Sequence, residues 1–139
     1  MKKKVRAVML ATAVFAAGVV SCEGHADALT KNRCRQYEQT AREVGWSAKE
    51  AVIISRVAWR ESRCQADAYN GRRRDRSYGL TQINTWGYLW KGVLAECGGK
   101  GGKVRVKADL FDPRTNLWCA KQLRDRYGWY MTWGVRAQW

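Results

Sequence analysis

The feature that most restricts the fold of this chain is its set of cysteines. The sequence contains five cysteines, and the first, Cys22, lies in an N-terminal leader. The other four form an even set, as an oxidised exported domain requires: Cys34, Cys64, Cys97 and Cys119. Four cysteines allow three pairings, and their spacing leaves all three open. Because no CxxC motif occurs and the only histidine, His25, also lies in the leader, we expect no metal site and no cofactor.

The leader has the composition of an export signal. A basic segment, residues 1–6, precedes an uncharged and mostly apolar segment of about 14 residues, Ala7 to Val20, which fits a signal peptide and is short for a membrane span. Cleavage after Ala28, in a small-x-small sequence, would leave residues 29–139 as one mature domain. Two alternatives stay open: an uncleaved anchor, and a lipobox-like sequence with Cys22 acylated. We therefore expect a periplasmic or secreted protein, or an outer-membrane lipoprotein held through Cys22.

The net charge is strongly positive, with 26 lysines and arginines against 12 aspartates and glutamates. Removing residues 1–28 takes away four of the basic and two of the acidic residues, which leaves a net charge of +12. Such a charge favours polyanionic partners. An exported protein meets peptidoglycan, other anionic wall polymers and membrane surfaces first, so we expect no nucleic-acid partner. Most of the charges are expected to form a solvated surface.

Three local signals predict the helices of an α+β fold that is mainly α-helical. Apolar residues recur at three- and four-residue steps between about Lys31 and Val44, which predicts a first helix. Ser47 and Glu50 have the spacing of a capping box and predict the start of a second helix. Asp112-Pro113 predicts the start of a third helix, which would end at Gly128.

One acidic residue falls on the apolar face of the second helix. Glu61 shares this face with three apolar residues: Ile54, Val57 and Ala58. The sequence therefore predicts that Glu61 lies on the buried face, near the helix end. Apolar surroundings disfavour a charged carboxylate, and a carboxyl group that keeps its proton can act as a general acid. The alternative is an ion pair with a neighbouring arginine: Arg56, Arg60 or Arg63.

A turn signal, Asn70-Gly71, predicts that residues 68–84 form a small β-hairpin or extended lobe. Within it, the uncharged run Tyr78 to Asn84 is the expected strand. Glu61-Ser62 before the lobe and Tyr-Gly-Leu-Thr-Gln-Ile-Asn within it resemble the lysozyme-like superfamily. The resemblance is closest to the soluble lytic transglycosylase branch.

Further residues extend this resemblance to roughly residues 31–135, nearly all of the expected mature chain. Leu110–Pro113 with Asn116 resembles the start of that branch's next helix, and Cys119-Ala120-Lys121 resembles the matching helix of animal c-type lysozymes. The branch includes small lytic transglycosylases that accompany secretion and pilus systems. The resemblance therefore implies such machinery as a candidate partner, beside peptidoglycan glycan strands.

The resemblance implies a lysozyme-like domain whose cleft lies between the β-lobe and the second helix. The implied enzyme cleaves the β-1,4 bond between MurNAc and GlcNAc in peptidoglycan. In this branch one glutamate, here Glu61, protonates the leaving oxygen and then, as a base, activates the C6 hydroxyl of the sugar. The product carries a 1,6-anhydro-muramoyl end. A non-catalytic glycan-binding protein and a cationic membrane- or nucleic-acid-binding protein are the competing classes.

A lysozyme adds a second carboxylate, at a position that is Ser77 in this sequence. Asp75, two residues earlier, points to the same side of an extended segment and could serve a hydrolytic muramidase together with Glu61. The alternative is that Asp75 is neutralised by its arginine neighbours: Arg73, Arg74 and Arg76.

The resemblance also assigns substrate contacts and disulfides. Seven residues would contact the glycan: Ser62, Ser77, Tyr78, Gly79, Gln82, Asn84 and, in place of the family's late tyrosine, Tyr130. Three aromatic residues after the predicted strand could stack on sugar rings: Trp86, Tyr88 and Trp90. Trp129, Tyr130 and Trp133 are expected to pack in the core under the second helix. The c-type lysozymes carry a bridge similar to Cys97–Cys119, which leaves Cys34–Cys64 as the second disulfide. We expect a monomer.

Overall fold

The structure is a computed structural model that describes residues 32–135. Its elements follow in this order: a 3₁₀ turn at Arg35–Tyr37, helix α1 at Glu38–Glu43, helix α2 at Ala48–Ser62, strands β1 at Tyr69–Asn70, β2 at Ser77–Tyr78 and β3 at Ile83–Asn84, helix α3 at Leu89–Cys97, a 3₁₀ turn at Lys107–Phe111 and helix α4 at Pro113–Trp133. The fold is the mainly helical α+β fold with a small β-lobe that the sequence predicts.

The first helix is shorter than predicted. Lys31 lies outside the described residues, and the chain reaches α1 through the 3₁₀ turn instead of one continuous helix. Cys34 has non-helical dihedral angles, with φ −93° and ψ 72°. Its N–H donates to the Ser55 carbonyl at 3.0 Å, and its sulfur is bonded to Cys64. These two attachments to the neighbourhood of α2 hold Cys34 out of a helical path.

Helix α2 begins where the capping box predicts. The Ser47 hydroxyl accepts the Glu50 N–H at 3.3 Å, and the Ser47 N–H donates to the Glu50 carboxylate at 3.0 Å. The predicted apolar face is buried: Ala51, Ile54, Val57 and Ala58. The helix ends at Ser62, because Arg63 adopts the left-handed conformation with φ 55°.

Glu50 connects this cap to α4, because its carboxylate also forms an ion pair with Arg124 at 2.8 Å. Burial alone would raise the pKa of Glu50. The hydrogen bonds from Ser47 and the charges of Arg124 and Lys121 outweigh burial and lower the pKa. A carboxyl group whose folded-state pKa is lowered stabilises the fold above its unfolded-state pKa, and this contribution is lost as the pH falls through the folded-state value.

We therefore expect Glu50→Ala to lower the free energy of unfolding by about 1 kcal/mol at pH 7, because a capping interaction and an ion pair are lost together. At pH 3, below the unfolded-state pKa of a glutamate at about 4.3, the loss should be smaller, because the stabilisation by a carboxyl group with a lowered folded-state pKa declines below that value. Urea unfolding of both proteins at the two pH values measures the difference. Equal losses at both pH values would mean that the charge of Glu50 contributes nothing.

The β-lobe is a three-stranded antiparallel sheet in the order β1–β2–β3. The prediction of one strand from Tyr78 to Asn84 is wrong, because a turn at residues 79–82 separates β2 from β3. Gly79 and Gln82, at the two ends of this turn, have positive φ values of 73° and 49°. An extended strand excludes such values.

The fully buried side chain of Asn116 holds this turn against the start of α4. Its Oδ1 accepts the backbone N–H and the hydroxyl of Thr81, at 3.1 and 2.7 Å. Its Nδ2 donates to the carbonyl oxygens of Tyr78 and Leu110, at 3.1 and 2.8 Å. A Cβ atom on Gly79 would collide with the Leu110 carbonyl and the Asn116 amide. The close approach of the turn to Asn116 therefore determines the shape of the turn and requires glycine at position 79.

Helix α3 was not predicted, although Leu89, Val93 and Cys97 recur at four-residue steps. The helix is short and has Gly92 at its centre, which weakens the periodic signal. Helix α4 begins at Pro113 with Asp112 as its N-cap, as predicted. Its helical dihedral angles break at Gly128, with φ 77° and ψ 167°. The predicted end of the helix is thus a break, after which residues 129–133 form one further helical turn.

Two disulfides tie these elements together. Cys34 is bonded to Cys64, and Cys97 to Cys119, with Cα–Cα distances of 5.5 and 5.3 Å. These are the pairings that the resemblance implies. Disulfides persist in oxidising compartments, so they fit an extracellular or periplasmic protein. Within residues 32–135, none of the helices is long and apolar enough to cross a membrane.

The C-terminal aromatic residues pack against the core around Trp46, as expected for Trp129 and Trp133. The Trp46 ring lies 5.3 Å from the Trp129 ring, and Trp129 lies 5.7 Å from Trp133. Trp46 Nε1 donates to the Leu117 carbonyl at 3.0 Å. This row of indole rings supports the segment after the α4 break, which forms part of the site below.

Candidate active site

A cleft of about 470 Å³ opens beside the β-lobe. One wall comes from the turn, β3 and the start of α3: Gln82, Ile83, Asn84, Tyr88, Leu89, Gly92 and Val93. The other wall comes from the C-terminal part of α4: Leu123, Tyr127, Met131, Thr132 and Trp133. Among the described residues, the lining includes no charged side chain. Such a cleft suits a neutral ligand with apolar ring faces and a few polar groups.

The cleft differs from the expected one in its second wall. The resemblance implies a cleft between the lobe and helix α2, whereas α4 faces the lobe in the structure. No residue of helix α2 lines this cleft, and α2 is connected to it through the hydrogen bond from Arg60 to the Trp133 carbonyl. Helix α4 lines the cleft on both sides of its break at Gly128, with Leu123 and Tyr127 before the break and three residues after it: Met131, Thr132 and Trp133.

Glu61 does not line the cleft, but its carboxylate is linked to the cleft wall through Arg60. Arg60 Nε and Nη2 donate to Glu61 Oε1 at 2.9 and 2.6 Å. The same Nη2 donates to the Trp133 carbonyl at 2.6 Å. Trp133 in turn donates from its indole N–H to the Thr81 carbonyl at 2.9 Å, which joins the two walls of the cleft. Arg60 thus connects the acid on α2 to the wall formed by α4.

The prediction that Glu61 is buried among apolar residues is wrong in degree. Its side chain is 28% exposed, whereas Ile54 and Ala58 on the same face are fully buried. Of the three arginines considered as partners, Arg60 forms the ion pair. The position of Glu61 at the end of helix α2 is as predicted.

The Asp75 carboxylate is engaged by two polar side chains of the β-lobe. Its Oδ2 accepts from Asn70 Nδ2 at 2.5 Å, and its Oδ1 accepts from the hydroxyl of Ser77. Asp75 does not line the cleft, and within residues 32–135 it forms no ion pair with Arg73, Arg74 or Arg76. Ser77 is buried and is used by this same hydrogen bond. Both side chains therefore stabilise the β1–β2 turn.

Two of the predicted substrate contacts, Gln82 and Asn84, line the cleft. Gln82 Nε2 donates to the carbonyl oxygens of Ala68 and Gly79, at 3.1 and 2.9 Å. Asn84 Oδ1 accepts from the Trp86 N–H at 2.8 Å and more weakly from the Arg76 N–H at 3.4 Å. Each amide thus holds the local backbone with one of its polar atoms and leaves its other atom for a ligand.

Three further predicted contacts are engaged in hydrogen bonds or packing within the fold. The hydroxyl of the buried Ser62 donates to the Ala58 carbonyl at 3.0 Å. Tyr78 packs between Tyr69 and Phe111, with ring distances of 4.9 and 5.3 Å, and burial raises the pKa of its hydroxyl. Gly79 is buried against Asn116. None of the three lines the cleft within the described residues.

The aromatic residues also differ in whether they line the cleft. Tyr88 is 80% exposed and lines the cleft. Trp90 packs against the core, and Trp86 stacks with the Arg76 guanidinium at 5.4 Å. Tyr130 is 59% exposed, so the prediction that it packs in the core is wrong, and it does not line the cleft. Its sequence neighbours Met131 and Thr132 do line the cleft.

Sequence reasoning missed this α4 wall. Leu123, Tyr127 and Met131 recur at four-residue steps, and that periodicity could have identified a common face. Because the sequence predicts that the helix ends at Gly128, Met131 falls outside the predicted helix and is not recognised as part of this face. The predictions about the leader, including His25, Cys22 and the cleavage site, lie outside the described residues.

Comparison with protein families matches residues 38–134 to the family described as a lysozyme-like domain. The match spans α1 to α4 and so includes Glu61, the β-lobe and both walls of the cleft. No curated protein and no solved structure matches the chain. Lysozyme-like domains form a family of glycosidase-like enzymes that act on peptidoglycan. The chain belongs to this lysozyme-like family.

Proposed function

We propose that this protein is a peptidoglycan lytic transglycosylase that cleaves the β-1,4 bond between MurNAc and GlcNAc with Glu61 as its single acid/base. Glu61 donates a proton to the O4 leaving oxygen as the bond from C1 of MurNAc breaks. The resulting carboxylate accepts the proton of the C6 hydroxyl as O6 bonds to C1. One chain then ends in a 1,6-anhydro-muramoyl group and the other in a free 4-hydroxyl, and no water is consumed.

The observation that carries this proposal is the position of the Glu61 carboxylate. It is partly exposed, lies at the end of α2, and is joined through Arg60 to Trp133 in the cleft wall. Both Arg60 bonds go to Oε1, so Oε2 is the atom that can face a glycosidic oxygen at the cleft edge. Arg60 would thereby hold the carboxylate that acts as base in the second step, and the ion pair must open for Glu61 to carry the proton of the first step.

The surroundings of the cleft support a mechanism with one carboxylate. Asp75, the candidate for a second carboxylate, is engaged by Asn70 and Ser77 in a turn, and within residues 32–135 it has no link to the cleft wall like the one that Arg60 gives Glu61. A retaining lysozyme needs its second carboxyl group about 5 Å from the first, on the opposite side of the scissile bond. The C6 hydroxyl of the substrate can replace that group, because intramolecular attack needs only a base.

The lining also suits an acetylated glycan. The amides of Gln82 and Asn84 can bind acetamido and hydroxyl groups, and Tyr88 and Tyr127 present ring faces to the cleft. Export through the leader, with cleavage after Ala28 or acylation at Cys22, would bring the enzyme to this polymer. Association with a secretion or pilus machine belongs to the same proposal.

Digestion of purified peptidoglycan tests the proposal directly. We expect anhydro-muramoyl ends, which are one water lighter than reducing ends and are distinguished by mass spectrometry. We expect Asp75→Asn to keep activity within about tenfold of wild type, because no second carboxylate participates. Reducing ends only, together with an inactive Asp75→Asn, would establish a hydrolytic muramidase instead. Binding without any product would establish a glycan-binding protein.

A further inference from the structure

The turn between β1 and β2 is strongly basic. Residues 71–76, hereafter the arginine turn, contain four arginines and one acid: Arg72, Arg73, Arg74, Arg76 and Asp75. The first three arginines are exposed. Within residues 32–135, none of the four forms an ion pair.

Asp75 lowers the charge of the turn but forms no ion pair with its arginines, and its two carboxylate oxygens accept from Asn70 and Ser77. Four arginines and one aspartate leave residues 71–76 with a net charge of +3. Acids elsewhere in the fold pair directly with arginines: Glu43 with Arg114, and Glu50 with Arg124. The arginine turn therefore presents a net positive charge, and within residues 32–135 its exposed guanidinium groups have no carboxylate partner.

The turn also has a defined shape. Arg73 has a left-handed φ of 49°. The Asp75 N–H donates to the Arg72 carbonyl at 2.8 Å, and Arg76 Nη1 donates to the Gly71 carbonyl at 2.7 Å. The exposed guanidinium groups are thus carried on a backbone that is already ordered, which lowers the entropy cost of binding.

The turn adjoins one end of the cleft. The Arg76 N–H donates to Oδ1 of Asn84, and the Arg76 guanidinium stacks on Trp86. Asn84 lines the cleft. Arg74 is two residues from Arg76, so their Cα atoms are at most about 7 Å apart. Arginine side chains at the turn can therefore reach groups that project from a ligand in the cleft.

We propose that the arginine turn binds the carboxylates of the peptide stems attached to the glycan strand in the cleft. This inference rests on the proposed function, because it assumes that strand as ligand. Guanidinium groups bind carboxylates through paired hydrogen bonds, and the cleft itself offers the stems no cation. The arginine turn would then recognise the peptide stems by their charge, and the uncharged cleft would recognise the sugar backbone.

Sedimentation with insoluble sacculi, freed of other wall polymers, measures this binding. The full mature chain with Glu61→Gln is used, so that the strands stay intact. Two sacculus preparations are compared: native, and with the stem carboxylates blocked by amidation. We expect amidation to weaken binding roughly tenfold at low salt, and Arg72→Gln/Arg73→Gln/Arg74→Gln to weaken binding to native sacculi by a similar factor. The triple variant should no longer distinguish the two preparations.

A matched control removes the same charge from another basic loop. Lys100, Lys103 and Arg105 are exposed residues of the loop after α3, and the nine-residue α3 places that loop about 13 Å beyond the cleft end of the helix. We expect Lys100→Gln/Lys103→Gln/Arg105→Gln to keep most of the preference for native sacculi. Two results would overturn the inference. One is that both triple variants lose the preference for native sacculi equally. The other is that the protein with the wild-type arginine turn binds native and amidated sacculi equally. Products released by the enzyme with Glu61 intact report separately on the proposed function.

Discussion

Glu61→Gln is expected to lower the rate of glycan cleavage by about 10²–10⁴-fold, which is the usual contribution of general acid–base catalysis. Glutamine keeps the size of glutamate and can still accept the Arg60 hydrogen bonds through its amide oxygen. It cannot donate a proton to a leaving oxygen or accept one from the C6 hydroxyl. Rates of product release from purified peptidoglycan measure the loss, with binding to sacculi measured in parallel.

The matched control is Glu43→Gln. Glu43 is also paired with an arginine, Arg114, but it lies on α1, and no hydrogen bond within residues 32–135 joins this pair to the cleft lining. Its replacement removes the same charge. We expect activity within about twofold of wild type, since Glu43 has no part in the proposed general acid–base catalysis. Full activity of Glu61→Gln would reject Glu61 as the acid/base. Similar losses in both variants would point to an effect of charge or folding instead.

Asn116→Asp is expected to lower the free energy of unfolding by about 3–5 kcal/mol, because it turns a buried donor into an acceptor. In the wild type, Nδ2 donates to the carbonyl oxygens of Tyr78 and Leu110. In the variant these two carbonyls lose their donor and face a carboxyl oxygen, and each unsatisfied buried group costs about 1–3 kcal/mol. Denaturant unfolding with the disulfides intact measures the change.

Gln122→Glu provides the control, since it makes the same amide-to-acid change on α4 at a partly exposed position. There we expect a change of at most about 0.5 kcal/mol. A small effect of Asn116→Asp would mean that the turn at residues 79–82 relaxes and finds other partners. In that case Asn116 does not determine the shape of the β-lobe.

The parts of the fold that were predicted correctly depend on neighbours in the chain. Ser47 and Glu50 are three residues apart, and their hydrogen bonds form as soon as the first turn of α2 forms. The N-cap of α4 at Asp112 is equally local. The buried face of α2 follows from helical periodicity, which needs no knowledge of what covers it.

The parts that were predicted wrongly depend on distant residues. The turn at residues 79–82 looks like a strand in sequence, and the residue that shapes it, Asn116, lies 35 residues after Thr81. The link from Glu61 through Arg60 to the cleft wall involves Trp133, which lies 73 residues after Arg60. Periodicity contains no information about such contacts.

By itself the sequence determined the fold class, the start of α2, the face on which Glu61 lies, and the residues that mark the lysozyme-like family, because each rests on local spacing or on a short motif. Only the tertiary structure decided that Glu61 is partly exposed and paired with Arg60, that Asp75 is engaged within the arginine turn, and that α4 forms the second wall of the cleft. The physical reason is that exposure and hydrogen-bond partners are set by which segments pack together, and a helix or turn signal does not specify its neighbours.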